Sequence, residues 1–397
     1  MTSVVGDRLR GVRRRPDGEE WRASWFELFF DLVFVLVVSQ LSGELASNLT
    51  LSGALETLFL LLMAWWAWIY TTWTTNWFDP DTGPMRILLT IGMFGSLLGA
   101  VAIPEAFGDR ALLLVFGYAT IQLVRNVFVV VACERDDPLR PALERVLAWS
   151  LWVAPLWIIG ALLEGDARIA IWIVALVADY AGPVVGHWTP GLGRSRPSQW
   201  ELEPSHFAER LLLFLIIALG EVIVAIGRVA AELPVDPSHV QALAVSFGIA
   251  VLLWWLYFDF HAGRTVRELK AAAEERGELG RDLSYLFIPL IAGIIVCAVG
   301  NELVIAHPDD KLGDAELAAL GAGPVIYLLG SVAFKVRVLG ALWEPRAIAA
   351  ALIVGVTVVG TLLPALAVWS LIFAVLGGVA VVEVVRSPAR PTEVRGG

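Results

Sequence analysis

The sequence predicts an all-α, polytopic membrane protein of about twelve transmembrane helices, and three observations predict it. Of the 397 residues 57% are hydrophobic and only 17% charged, and the mean hydropathy is +0.71, on the apolar side of ordinary soluble domains. Apolar runs of about 20 residues, the length that crosses ~30 Å of hydrocarbon, recur along nearly the whole chain. Basic residues also alternate from loop to loop. With the amino terminus inside, the outside loops hold only Arg110, Arg168, Arg228 and Lys311 of the 29 Lys and Arg, as expected if basic residues collect on the cytoplasmic face.

Taken in order, the predicted spans are 25 to 46, 52 to 73, 84 to 103, 110 to 133, 143 to 163 and 167 to 186, then 206 to 229, 239 to 260, 283 to 304, 315 to 335, 346 to 363 and 365 to 385. Residues 1–24 form a basic cytoplasmic segment containing "RLRGVRRR"; no small-residue cleavage site closes the first apolar run, so that run is expected to remain as an anchor. Only Pro364 separates the last two spans, which leaves open one kinked segment, a re-entrant pair or two helices. The most basic inside loop, "HAGRTVRELKAAAEERGELGR", suits a solvated or membrane-surface helix. An even number of spans puts both termini in the cytoplasm, with residues 387–397 as a tail.

The first and seventh spans begin alike, as "WFELFFDLVFVLVVSQ" and "HFAERLLLFLIIALGE", and each precedes a Trp-Trp helix, Trp65-Trp66 in "AWWAWIYTTW" and Trp254-Trp255 in "LLWWLYFDFH". This suggests two tandem six-helix repeats, 25–203 and 204–386, in parallel orientation, with a pathway between them. Chance likeness between apolar helices is the competing explanation.

An ionised side chain at mid-bilayer costs roughly 2.5–3.5 kcal/mol on insertion scales, so intramembrane charges are the informative residues. Glu27 lies two residues into the first span, where it either reaches the headgroups or turns inward; Asp31 lies one turn deeper on the same face. Available cations are Arg125, in "YATIQLVRNVF", and Arg210, in "HFAERLLLF". Asp31, Arg125, Asp179, Glu209, Arg210 and Asp259 share a rough depth toward the cytoplasmic end, and a polar cluster with Glu27 and Asp31 paired to Arg125 or Arg210 is expected. A static ion-pair lock between helices carries equal weight.

Glu221, three turns beyond Arg210 on one face with Phe214 and Ile217, falls near the midplane, as a proton- or ion-linked group or as a protonated acid bonded to its neighbours. Gly220 and Gly227 would allow close helix packing. Gln40, Glu44, Asn301 and Glu302 mark outer helix ends and could line an external mouth. Trp66, Tyr70, Trp73 and Trp77 form one stripe, either an interfacial aromatic belt or a stacking surface. His187, His206 and His261 stand at cytoplasmic helix ends without metal-ligand spacing. Cys133 and Cys297 fall at or in apolar runs and suit buried free thiols. No P-loop or GxSxG is present and no cofactor is implied. The net charge of −10 argues against nucleic acid as a partner.

On "ELFFDLVFVLVVSQLS" at 27 to 42, "HFAERLLLFLIIALGEVIVAIG" and the Trp-rich stretch ending "NWFDP", the chain resembles the bacterial low temperature requirement protein A (LtrA) family over roughly residues 20 to 385. The resemblance implies a multi-pass protein of the bacterial cell membrane and carries no substrate with it. Its matching positions are Glu27, Phe30, Asp31, Phe34, Gln40, His206, Glu209, Arg210, Gly220 and Glu221. A looser likeness is to endolysosomal potassium channels of tandem six-helix units. "FFDL" keeps the Phe and Asp of their Phe-Ser-Asp motif and lacks the Ser.

The function expected from these residues is a secondary transporter or channel for a small solute, proton or cation. Two alternatives stand beside it: a membrane-embedded scaffold or sensor with structural ion pairs, and an intramembrane lipid-modifying enzyme using cytoplasmic-face His and acid groups.

Overall fold

The computed structural model describes residues 12, 21–196, 199–234, 236–258, 263–272, 275–340 and 345–386. Thirteen α-helices are present among them: α1 (Trp25–Ser47), α2 (Leu51–Trp77), α3 (Gly83–Ala102), α4 (Ala111–Ala132), α5 (Arg140–Leu162), α6 (Gly165–Val184), α7 (Pro204–Ala230), α8 (Pro237–Tyr257), α9 (Gly263–Ala271), α10 (Arg276–Ala306), α11 (Asp314–Leu339), α12 (Pro345–Val359) and α13 (Ala365–Arg386). All except α9 are long and apolar enough to span a bilayer, α12 together with the 3-10 turn that follows it to Leu362. Among the described residues there is no strand; Thr189 and Gly193 form an isolated bridge.

The predicted spans match these helices closely, with four differences of more than three residues at an end: the start of α10 and the ends of α2, α11 (Leu339 rather than 335) and α12 (Val359 rather than 363). Helix α10 starts at Arg276 rather than 283, because its polar first turns are held on both sides: a Cβ at Gly280 would touch Leu202 and Trp73, and Ser284 accepts from the Trp73 indole. Helix α2 runs on to Trp77, where the Trp77 indole donates to the Glu201 carbonyl at 2.7 Å. Around Pro364 the chain forms two helices: α12 ends in a 3-10 turn over Gly360–Leu362, Leu363 is extended, and α13 packs against α12. A proline lacks the N–H needed to continue a helix, which accounts for the break.

The chain divides into two compact units, Met1–Glu221 with Thr265–Ile288, and Val222–Arg264 with Pro289–Gly397. In the first unit α1 packs on α2 and α3, α3 on α4, α4 on α5 and α5 on α6. The closest approach is between glycines: a Cβ at Gly95 would stand 2.8 Å from the Gly117 carbonyl oxygen, and one at Gly117 would strike the Gly95 carbonyl. Small residues let helix backbones meet where no hydrophobic force separates lipid from protein. In the second unit α12 lies between α11 and α13, α13 packs on α8, and Gly293 of α10 abuts Gly323 of α11. By contrast Gly220 and Gly227 make no close packing; a Cβ at either would meet open space. Both cysteines are buried free thiols.

The α3–α4 contact predicts that Gly117→Ala destabilises the protein by about 1–3 kcal/mol, while Gly99→Ala, where a Cβ meets nothing, is neutral. Thermal unfolding of the two variants in detergent checks this.

Candidate functional site: a buried ion network

The first unit's network begins at a helix cap. Ser24 precedes α1, and its hydroxyl accepts from the Glu27 N–H at 3.2 Å while Glu27 Oε2 accepts from the Ser24 N–H at 2.8 Å. This reciprocal capping box fixes the Glu27 side chain against the start of the helix. Its other oxygen, Oε1, turns inward to His206 Nε2 at 2.9 Å and to Arg210 Nε at 3.6 Å. Glu27 is therefore fully buried and does not reach a headgroup layer.

One turn further in, Asp31 receives three bonds. Arg210 donates two in parallel, to Oδ2 at 2.6 Å and to Oδ1 at 2.8 Å, and the Trp68 indole donates to Oδ1 at 2.8 Å. The guanidinium also lies 5.4 Å from the Trp68 ring centre. Two parallel N–H···O bonds are the strongest geometry available to this pair. Phe214, one turn beyond Arg210 on α7, packs on Phe34, Trp65 and Trp68 at centroid distances of 6.0, 5.3 and 4.4 Å. Glu209, half-buried, accepts from the Ala23 N–H at 2.8 Å.

His206 has both ring nitrogens engaged, and its partner fixes its proton. Asn76 of α2 is clamped on the Glu203 backbone: its Oδ1 accepts from the Glu203 N–H at 2.8 Å and its Nδ2 donates to the Glu203 carbonyl at 3.0 Å. That orientation presents the amide Nδ2 to His206 Nδ1 at 3.1 Å. An amide nitrogen only donates, so Nδ1 accepts, and the ring proton sits on Nε2, aimed at Glu27. A second proton on Nδ1 would face a donor and would require the Asn76 amide to turn over.

Arg125 belongs to a different network. It donates to Gln122 Oε1, to Asn126 Oδ1 at 3.2 Å and to the Ala67 carbonyl at 3.3 Å, and lies 5.0 Å from the Tyr70 ring centre. Gln122 donates to the Tyr118 hydroxyl at 2.9 Å, which donates to Asp179 at 2.8 Å; the Trp157 indole donates to the same Asp179 oxygen at 3.0 Å. The expected single cluster is thus two networks within the first unit, attached to neighbouring α2 residues, Ala67 and Trp68. Asp31 pairs with Arg210 and not with Arg125.

Glu221 is buried on α7. Of the expected mouth residues, Gln40 and Glu44 belong to the first unit and Asn301 and Glu302 to the second. There Asn301 accepts from the Trp369 indole at 3.0 Å, and Glu302 is engaged by Arg228. His187 meets the Tyr70 hydroxyl at 2.9 Å, away from His206. Asp259 and His261 lie outside the described residues. The aromatic stripe of α2 is not an interfacial belt, since Trp66 and Trp77 are buried inside the unit.

The second unit holds a buried triad that the sequence did not disclose. Glu383 Oε1 receives Lys335 at 2.9 Å and Arg346 Nε at 2.8 Å, while Oε2 receives a second Arg346 nitrogen at 2.7 Å. Its signal was present as a lone acid within "VVEVV". Tyr118, Gln122, Trp68 and Asn76 were likewise not visible as partners, because uncharged polar residues in a span cost too little to stand out.

Twelve apolar helices with ion networks packed inside them define an α-helical, multi-pass membrane protein. The chain belongs to the bacterial low temperature requirement A protein (LtrA) family, whose pattern it matches over residues 22–381. It is similar to an uncharacterized protein of Rhizobium meliloti (strain 1021), 38% identical over 329 residues that cover 81% of this chain and 79% of that protein. No solved structure matches.

Two outcomes follow from this geometry. Asp31→Asn leaves the Arg210 charge buried without its carboxylate and is expected to cost about 3–5 kcal/mol, whereas the double variant Asp31→Leu/Arg210→Met recovers most of the loss; thermal unfolding of the three proteins measures it. Beyond the end of α6, burial pulls the His187 imidazole down to about 3, so the unfolded chain takes up the proton first. The stability due to neutral His187 is complete above the ordinary histidine value and falls on acidification toward 3, by at most about 1.4 kcal/mol per pH unit. A His187→Gln protein should show a shallower decline between pH 6.5 and 5.

Proposed function

We propose that this protein is a secondary transporter or channel for a small solute or ion, with both termini in the cytoplasm, and that the His206–Glu27 pair is its proton- or cation-exchanging element. The observation that carries the reading is the makeup of the network. Arg210 and Asp31 neutralise each other in a fixed fork, while Glu27 shares the same arginine with a group whose charge changes with one proton. Gain of that proton alters the charge of a fully buried site, where charge is expensive, and it must displace the Asn76 clamp on the Glu203 backbone ahead of α7. A local protonation is thereby tied to the position of a helix end. Glu221, further along α7, extends the same line of ionisable groups toward the midplane. The tandem arrangement of 25–203 and 204–386 belongs to this reading, with α2 and α8 bearing their Trp-Trp pairs at like positions.

A scaffold or sensor with structural ion pairs is the second reading, favoured by the saturation of Asp31, which accepts three bonds. A lipid-modifying enzyme gains no support from His206, which is fully buried with both nitrogens occupied.

In proteoliposomes under an imposed pH gradient, the protein should pass protons, potassium or sodium, and His206→Gln, Glu27→Gln and Glu221→Gln should each abolish that flux while insertion survives. Wild-type liposomes that pass none of these ions, or flux unchanged in Glu27→Gln, would remove the His206–Glu27 pair as an exchanging element and favour the scaffold.

A further inference from the structure

Outside the ion network, the first unit holds a cavity of about 280 Å³, at the small end of ligand-binding pockets and equal to roughly nine water volumes. Its walls are aromatic: Trp66, Tyr70, Trp73, Trp77, Trp200 and Tyr285. These rings come from α2, α10 and the segment before α7, and they pack on one another at tilted angles, with Trp77 and Trp200 at 5.5 Å and Trp66 and Tyr285 at 5.8 Å between centroids.

The loop after α6 closes one side and is built with strain. His187 is the one non-glycine residue with positive φ among those described, at +48°, directly after Gly186 at +66°. Its N–H donates to the Gly182 carbonyl at 2.7 Å, and the Ser195 N–H donates to the Gly186 carbonyl at 2.7 Å, folding the loop back on itself. A left-handed conformation at a residue with a side chain costs of order 1–3 kcal/mol and tends to persist where a group must be aimed.

The groups so aimed are donors. His187 and Ser195 both line the cavity and both are buried, yet His187 Nδ1 and Ser195 Oγ have no hydrogen-bond partner among the described residues. If the Tyr70 hydroxyl donates to His187 Nε2, one orphan remains, an N–H on Nδ1; the reverse assignment strands both Nδ1 and the Tyr70 proton. The rim carries Arg194 and Arg196, exposed and without an ion-pair partner among the described residues, while the rim acid Glu278 is already engaged by Arg281 at 3.4 Å.

An aromatic box alone would suit a cation. Two unpaired guanidinium groups, an imidazole N–H and a hydroxyl call instead for an acceptor-rich anion. We infer that this cavity binds a small amphiphilic anion, a flat apolar body against the tryptophans with a carboxylate or phosphate held by His187, Ser195, Arg194 and Arg196. A soluble aromatic acid and the head region of an anionic lipid share that chemistry. The inference does not rest on the transport reading, because binding is measured without flux.

The test is calorimetric titration of the detergent-purified full chain with 2-naphthoate, 2-naphthyltrimethylammonium, inorganic phosphate and dihexanoylphosphatidate. Saturable binding of naphthoate or phosphatidate is expected, with the tighter of the two naming the source. Loss of a charge-assisted bond should weaken it about tenfold or more in Arg194→Gln/Arg196→Gln, a variant at exposed positions whose unchanged melting temperature certifies the fold. Trp66→Leu should weaken the same titration. The inference is overturned if neither anion binds, if the ammonium compound binds as well as naphthoate, if phosphate alone matches it, or if the double arginine variant binds as wild type.

Discussion

The two parallel hydrogen bonds between Arg210 and Asp31 are the contact on which the first unit's arrangement rests. They join α1 to α7 across 179 positions of sequence, in an interior where neither charge can reach water. Trp68 supplies the pair with a third bond and a ring face, and Phe214 packs on that tryptophan together with Phe34 and Trp65. Such a pair adds little net stability compared with a well-packed apolar substitute, but leaving one member alone is costly. Its effect is therefore to make one helix arrangement far better than its neighbours, which is a constraint on register more than a source of stability.

Glu27 and His206 use the same arginine differently. Glu27 holds the start of α1 through Oε2 and meets His206 through both oxygens, so the helix cap and the ion site are mechanically one object. His206 is likewise held between a carboxylate and an amide whose own orientation is set by the backbone ahead of α7. A network in which each polar atom is oriented by the next transmits a change at one atom to the others. The imidazole sits where α7 begins.

Much of this was legible in the sequence because the bilayer makes some choices expensive. Spans were visible as apolar runs, and Asp31 and Arg210 were visible because an unpaired charge cannot stay in such runs. What remained hidden has physical reasons. The choice between Arg125 and Arg210 as partner of Asp31 stayed open in the sequence, since the neighbourhood of Arg125 is a relay of Gln122 and Tyr118 to Asp179 and neutral polar residues leave no energetic signature in a span. The α2 tryptophans suited an interfacial belt because composition cannot distinguish a lipid-facing ring from one facing a cavity; Trp200 and Tyr285, which complete that cavity, are remote in sequence. Helix α10 began early because packing on Trp73 and Leu202, not hydrophobic length, sets its start. Gly220 and Gly227 resembled a packing motif, while the close helix contacts fell at Gly95, Gly117, Gly293 and Gly323.

The most direct test of the network is the protonation of His206 in the bilayer-embedded protein, read by solid-state nitrogen-15 NMR and assigned by difference from His206→Gln. At pH 8 the account predicts a neutral ring with its proton on Nε2 and a bare Nδ1. An imidazolium at that pH, or a proton on Nδ1 instead, would contradict it.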